Sequence, residues 1–423
     1  MNYLDKTIEL LNKSYSPFHV VKNIKDELDK KGYIELKEDK EFSLEEGENY
    51  YVIRNGSAII AFNVPHSPKT SSFRISASHT DSPTFKIKPN PVINYKNIVS
   101  LNVEPYGGMI DAPWLDRPLS FAGRVFYLNK DGEMKSTLLN IDEDLLVIPN
   151  VCIHFNRNIN NGYTFNPAKD MIPMLGIQKD FNFNEYLLKQ IEEAKEILSF
   201  DLFLYNRDQA KKVGLNKEFV SSPKLDDLGS TYSVLLGFLD ASPKYFNIYC
   251  AFDNEEVGSL TKQGAYGTFL SDTLNRISTA LDLPYREMVA RSLLVSVDNA
   301  HANHPNHPEL TDSTTSVLLN EGIVIKYNAD QRYTTDALSA ATLKNIVRKA
   351  NISFQDFTNR SDLRGGSTLG NLSNNQVSIN SVDIGIGQLA MHSCNELCGA
   401  KDIETMSLLM KEFFSSDTEV KSL

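Results

Sequence analysis

The sequence predicts an α/β fold interrupted by a second, β-rich domain. Three observations lead there. Runs rich in β-branched and aromatic residues alternate with helical stretches, the pattern of an open sheet covered by helices. Several of those runs empty into acidic or imidazole residues. From residue 90 to 222 the texture shifts to short apolar bursts broken by turn residues, such as FAGRVFY at 121–127 and LLVIP at 145–149. At about 150 residues per domain, a chain of 423 residues has room for two or three domains. Its 41% hydrophobic, 23% charged and 10% aromatic content excludes collagen-like, low-complexity and disordered classes. The 43 Lys and Arg are outnumbered by 54 Asp and Glu, for a net charge of -11, which argues against a nucleic-acid partner.

The elements follow in order. Leu4, Ile8 and Leu11 share one helical face with charges between them, unlike the unbroken apolar segment of a secretory signal. A second helix carries Val21, Ile24 and Leu28 and ends at Gly32. The period then becomes that of strands. Tyr50 to Ile53 and Ala58 to Phe62 flank Asn55-Gly56, a dipeptide that supplies the positive φ angles of a tight hairpin. Phe73, Ile75 and Ala77 alternate as a strand that stops at His79. Residues 90–222 are the expected inserted domain, which leaves 1–89 and 223–423 as two parts of one α/β domain. Helical stretches at 228–239 and 335–348 separate later strands that lead to Glu255-Glu256, to Asp298 and, through glycines, to His392. Open α/β sheets bind ligands beyond the carboxyl ends of their strands, so these polar clusters are expected to converge.

The longest apolar run, near residues 234–236, is far too short to span a bilayer, and a cytoplasmic protein with no membrane partner is expected. Cys152, Cys250, Cys394 and Cys398 are too few and scattered for a disulfide framework. Cys394 and Cys398, four residues apart, read as buried helix positions.

Each polar cluster taken alone is ambiguous. His79-Thr80-Asp81 suits a metal-ligating imidazole steadied by Asp81, and equally a polar strand end. Asp226-Asp227 precedes a helix and could be a simple N-cap. Adjacent Glu255 and Glu256 repel unless a cation or solvent separates them. The set is less ambiguous. His79, one carboxylate of the Asp226-Asp227 pair, one of the Glu255-Glu256 pair, Asp298 and His392 make a mixed N/O donor set suited to zinc, cobalt or manganese. Five protein ligands exceed what one open catalytic zinc accepts, whereas two ions sharing one carboxylate would use them all, which points to a dinuclear hydrolase.

His79-Thr80-Asp81-Ser82-Pro83, Leu225-Asp226-Asp227-Leu228, the DNEEVGS segment at 253–259, Asp298 with HANHPN at 301–306, and Met391-His392-Ser393, in this order, resemble the motifs of the aspartyl aminopeptidase and aminopeptidase I family of zinc metallopeptidases. The resemblance runs from about residue 19 almost to the C-terminus. It implies a mixed-sheet catalytic domain with helices on both faces and an inserted β-rich dimerisation domain. It also implies two divalent ions per subunit, most simply zinc: Asp226 bridges them, His79 and Asp298 complete one site, and Glu256 and His392 the other. Asp227 receives no metal role. The implied reaction is hydrolysis of the N-terminal residue of a peptide by a water shared between the ions, with Glu255 as general base. His154, in CIHFNR at 152–157, is implied to reach into a neighbouring subunit and stabilise the oxyanion, within a tetrahedral dodecamer built from dimers.

Lys326 and Tyr333 match the family region lining the pocket for the first side chain, where a cation favours Asp or Glu; family members lacking that preference take neutral residues. A non-catalytic scaffold of the same fold is the remaining alternative. His301, His304 and His307 are separated by Pro305 and Pro308, which rules out one continuous helical face for a third metal. At least one of the three is expected in the substrate pocket, and His304 is taken as that one. Gly366, in RGGST at 364–368, either offers backbone N–H groups to a substrate carbonyl or forms a tight turn. The Gly385-Ile386-Gly387 segment mimics a dinucleotide fingerprint, but too few residues follow to complete one.

Overall fold

The computed structural model describes residues 2–366 and 368–420. Its largest sheet has nine strands in the order Ile34–Leu36, Asn49–Arg54, Ala58–Asn63, Phe246–Phe252, Phe73–His79, Leu293–Val297, Asn380–Gly385, Ile323–Tyr327 and Phe354–Thr358. The four central strands, from Phe246–Phe252 to Asn380–Gly385, run parallel, and antiparallel neighbours on both sides make the sheet mixed. Their carboxyl ends therefore lie along one edge, where Phe252 pairs with His79.

Alternate side chains of these strands enter two cores. Tyr249 and Ala251 pack with helices Tyr3–Leu11, Pro17–Lys30, Leu225–Leu239, Ala337–Lys349 and Ala400–Ser415, while Ile248, Cys250 and Phe252 pack with Phe269–Ala280. Covering both faces is what lets the central strands read as unbroken apolar runs. The hairpin turns at Asn55 (φ 57°) and Gly56 (φ 70°), and the second helix ends at Gly32 (φ 79°), where glycine meets no steric penalty.

The insertion is a six-stranded antiparallel sheet in the order Met134–Asn140, Leu119–Asn129, Ala194–Asn206, Thr84–Tyr95, Ile98–Tyr106 and Met174–Ile177, with its own core around Phe85, Trp114, Phe121 and Leu202. This sheet starts at Thr84, before the expected boundary at residue 90. The change of texture there is a bulge, not a border: the register slips between Ile87 and Val92, across Pro89 and Pro91, which cannot donate to a ladder. At the other end, Lys211–Val213 and Phe219–Ser222 leave the insertion's sheet. They join Glu396–Gly399, Gly387–Leu389 and Ala300–His301 in a five-stranded sheet beside the converging strand ends.

Cys394 and Cys398 are buried and free, as expected, but not helical: Cys398 lies in the strand Glu396–Gly399 and Cys394 just before it. Among the described residues no helix is long and apolar enough to cross a membrane.

Candidate metal centre

Each proposed ligand stands at the end of an element. His79 closes Phe73–His79, Glu255 and Glu256 follow Phe246–Phe252 after one loop, and Asp298 follows Leu293–Val297. Asp226 sits at the start of Leu225–Leu239, where its backbone is not helical (φ -82°, ψ 110°). The N-cap reading is thereby replaced, because the carboxylate faces the strand ends instead of the helix's own N–H groups. His392 adopts φ 64° in the link between Gly387–Leu389 and Glu396–Gly399.

The carboxylate of Asp226 is shared. Its Oδ1 lies 3.4 Å from Nε2 of His79 and its Oδ2 lies 3.4 Å from Nε2 of His392. Nε2 of His79 is also 3.8 Å from Asp298 Oδ1, and Nε2 of His392 is 3.5 Å from Glu256 Oε2. Two ligands each about 2.1 Å from a tetrahedral zinc stand about 3.4 Å apart, so these spacings fit donors arranged around a common centre. Oδ1 of Asp226 is buried without a hydrogen-bond partner among the described residues, a costly state for a carboxylate oxygen unless a cation takes the place of a donor. Two groups, His79–Asp226–Asp298 and Asp226–Glu256–His392, each bring ligand atoms within 4.8 Å of one another.

The ring orientations are set from behind. Nδ1 of His79 lies 3.1 Å from the carbonyl of Asp81, and Nδ1 of His392 lies 2.6 Å from the carbonyl of Gly108, which leaves each Nε2 facing the centre. The Asp81 carboxylate accepts from the backbone N–H groups of Glu255 and Glu256, each at 3.2 Å, and from the Tyr106 hydroxyl at 2.8 Å. Asn254 donates to Tyr106 in turn, at 2.8 Å. Gly107 passes so close to Glu256 that a Cβ there would stand 3.0 Å from the Glu256 Cβ.

Crowded acids hold one another's protons in the cation-free site. Burial, reinforced by Asp298, Asp81 and Asp226, pushes the Glu255 carboxyl up to about 8, and burial with the neighbouring acids raises Glu256 well above its usual range. Burial opposes protonation of His392, but Asp226 outweighs it and pushes the imidazole up to about 9; the same contest raises His79.

A family model described as aminopeptidase I zinc metalloprotease (M18) matches residues 10–414. The chain belongs to the M18 aminopeptidase family. Relatives named probable M18 family aminopeptidase 2 from Clostridium novyi and Pseudomonas aeruginosa PAO1 are 42% and 38% identical, over 98% and 97% of this chain and 99% and 97% of their own. Ape4, solved by cryo-EM in complex with Nbr1, is similar at a TM-score of 0.94 and 32% identity, covering 98% of this chain and 85% of that one. The S. cerevisiae mApe1 dodecamer is similar at 0.85 and 26%, covering 97% and 96%. This M18 aminopeptidase is accordingly a peptide-bond hydrolase of a zinc metalloprotease family.

A cavity of about 240 Å³ opens on the cluster, lined by Glu255, Lys326, Tyr333 and Gly366 among others. Lys326 is not solvated: it is 2% exposed, donates to the carbonyls of Asp298 (2.8 Å) and Asn299 (3.3 Å), and lies 5.0 Å from the Tyr333 ring centre. Burial opposes its charge, yet Asp298 raises its pKa on balance. Ser367, next to Gly366, lies outside the described residues. Of the histidines at 301, 304 and 307, it is His301 that lines this cavity, beside His392, and not His304. Pairing of Ala300–His301 with Gly387–Leu389 holds His301 at the site, whereas His304 lines a neighbouring cavity with its ring 5.2 Å from that of His307. His154 lies on an exposed stretch of the insertion and lines neither cavity.

Three residues of this M18 aminopeptidase escaped the sequence reading. Tyr106 carries no local signal. Glu396 accepts from the backbone N–H groups of Asp226 (2.9 Å) and His392 (2.7 Å), so one buried carboxylate fixes two ligand backbones. Asp383 is fully buried and accepts from the N–H and hydroxyl of Thr334 (2.6 Å each) and from the hydroxyl of Thr368 (2.5 Å). It ties together the loops bearing Tyr333 and Gly366. A lone carboxylate inside the apolar run Val382-Asp383-Ile384 was the visible sign.

Replacing Asp383 by Asn sets an NH2 group against donors. Asp383→Asn is expected to destabilise the fold by about 1–3 kcal/mol and to raise KM about tenfold, an effect of the size expected for disturbed substrate positioning, with zinc content unchanged. Metal analysis beside steady-state kinetics checks this, and zinc loss with an unaltered KM would contradict it. Proton competition gives a second expectation. His392 holds a proton up to about pH 9, and His79 and Glu256 are raised as well, while only deprotonated groups bind metal, so zinc affinity should rise with pH from 6 to 9. Calorimetric titration in buffers of different ionisation heat should register proton release at pH 7.

Proposed function

We propose that this M18 aminopeptidase holds two zinc ions and removes acidic residues, Asp or Glu, from the N-termini of peptides. The observation that carries the proposal is the Asp226 carboxylate, with one oxygen beside His79 and the other beside His392. Asp226 would be shared between the two ions, His79 and Asp298 would complete one site, and Glu256 and His392 the other.

Bound zinc supplies Lewis acidity, lowering the pKa of water and polarising the scissile carbonyl. Glu255 accepts a proton from the attacking water and returns it to the leaving amine. A carboxyl lifted by burial toward neutrality is suited to both directions of transfer. Its backbone is anchored on Asp81, so the group stays fixed while the proton moves. The carboxylates around the centre also attract the free N-terminal ammonium, which restricts cleavage to one residue at a time. Lys326 provides a buried positive charge at the cavity wall for the first side chain.

His154 is proposed to act on the oxyanion of a neighbouring subunit. The exposed apolar side chains of Val151 (53%), Ile153 (49%) and Phe155 (87%) around it support a partner surface there. With the mApe1 dodecamer as precedent, we propose that the inserted domain pairs subunits into dimers and that dimers assemble into a tetrahedral dodecamer. A cytoplasmic location belongs to the same proposal.

Glu255→Gln is expected to retain two ions per subunit and lose about 10²- to 10⁴-fold in kcat, whereas Glu256→Gln should lose metal. Normal turnover in Glu255→Gln would overturn the assignment of the base. On Asp-, Leu- and Lys-anilides the wild-type protein should favour Asp, and Lys326→Leu should lower kcat/KM for Asp selectively by about tenfold, or about 1.4 kcal/mol. An unaltered preference profile would remove the acidic specificity.

A further inference from the structure

The metal-bearing cavity does not end at His301 and Met391. Both residues also line a second, larger cavity of about 380 Å³, which nothing so far has used. Its volume lies within the range of ligand pockets, about 300–1,000 Å³. Its walls are mainly apolar, built from Leu310, Phe357, Leu363 and Leu389. Leu310 and Leu363 remain 53% and 41% exposed, so apolar surface is left open to solvent at this site.

The charges in the cavity are unequally committed. Arg360 is held by Asp362 and by the carbonyl of Glu309. The Asp312 carboxylate accepts from the backbone N–H groups of Thr314 and Thr315 and from their hydroxyls. Arg364 has no hydrogen-bond or ion-pair partner among the described residues. The cavity therefore offers an apolar wall and one uncommitted guanidinium.

An exopeptidase acting at an N-terminus has only two substrate parts flanking the scissile carbonyl. One is the first side chain, assigned above to the wall at Lys326; the other is the leaving peptide. We propose that the second cavity receives the residue after the scissile bond, with an apolar side chain preferred, and that Arg364 pairs with the free carboxylate of a dipeptide substrate. This rests on the first-residue assignment just made. An apolar side chain removed from water against Leu310 and Phe357 gains by burial, and a guanidinium matches a carboxylate in two-point geometry.

The test uses the intact, zinc-loaded enzyme and the dipeptides Asp-Leu, Asp-Gly and Asp-Leu-amide, with Leu-Leu, Leu-Gly and Leu-Leu-amide in parallel. In the wild type, kcat/KM should be about tenfold higher for a second Leu than for Gly, and higher for the free acid than for the amide. Leu310→Glu, at an exposed position, should erase the Leu-over-Gly preference. Arg364→Met should erase the acid-over-amide preference. Equal rates on Leu and Gly in the wild type, or ratios unmoved by both variants, would overturn the inference. So would a Leu310→Glu change confined to the first-residue comparison, because the cavity would then hold the first side chain. If only the Leu-first series is cleaved, acidic specificity fails, while the second-residue comparison within that series still decides the inference.

Discussion

A carboxylate removed from water must find positive charge, and Asp226, 3% exposed, has among the described residues the two imidazoles of His79 and His392 as its cationic partners. Asp298 and Glu256 crowd the same space, and Asp81 and Glu396 stand immediately behind it. Lys326 stands by as a fixed cation, yet its Nζ is 3.9 Å from the Asp298 carboxylate and turned toward backbone carbonyls. With so much acid gathered, the Glu255 and Glu256 carboxyls hold their protons far more tightly than exposed ones do, the electrostatic signature of a place that favours cations. The parallel strands exist, in this sense, to bring together groups that would otherwise repel.

Control of these ligands comes less from the side chains themselves than from the backbone beneath them. Asp81 holds the N–H groups of both glutamates, Glu396 those of Asp226 and His392, and Asp383 the loops that wall the cavity. Three buried carboxylates thus act as posts to which loops are tied. This allows a precise centre to be assembled from segments lying far apart in the chain.

Much of this was readable in the residues. The strand ends at His79, Asp298 and Glu255-Glu256 were each ambiguous alone and became legible only as a set of mixed N/O donors in one order along the chain. The Asn55-Gly56 turn and the stop at Gly32 follow from backbone stereochemistry alone. What could not be read depended on distance in space. Tyr106 is an ordinary aromatic until the insertion folds back over Asp81. His301 and His304 are alike in sequence and are separated only by the pairing of Ala300–His301 with a strand nearly ninety residues away. Where the antiparallel sheet begins, at Thr84, was not legible either, because the strand from Thr84 carries a bulge between Ile87 and Val92 whose pairing lies on a neighbouring strand. Cys394 and Cys398 have helical spacing, but the local chain is a turn entering a strand.

The tripeptide Tyr106-Gly107-Gly108 belongs to the insertion, yet it bonds Asp81, packs on Glu256 and holds the ring of His392. The seam between the two sheets is therefore part of the candidate metal centre itself. Any rocking of the inserted module would be felt first as a loosened imidazole. A transplant that replaced the module while discarding these three residues would strip Asp81, Glu256 and His392 of those contacts even if both halves folded faultlessly.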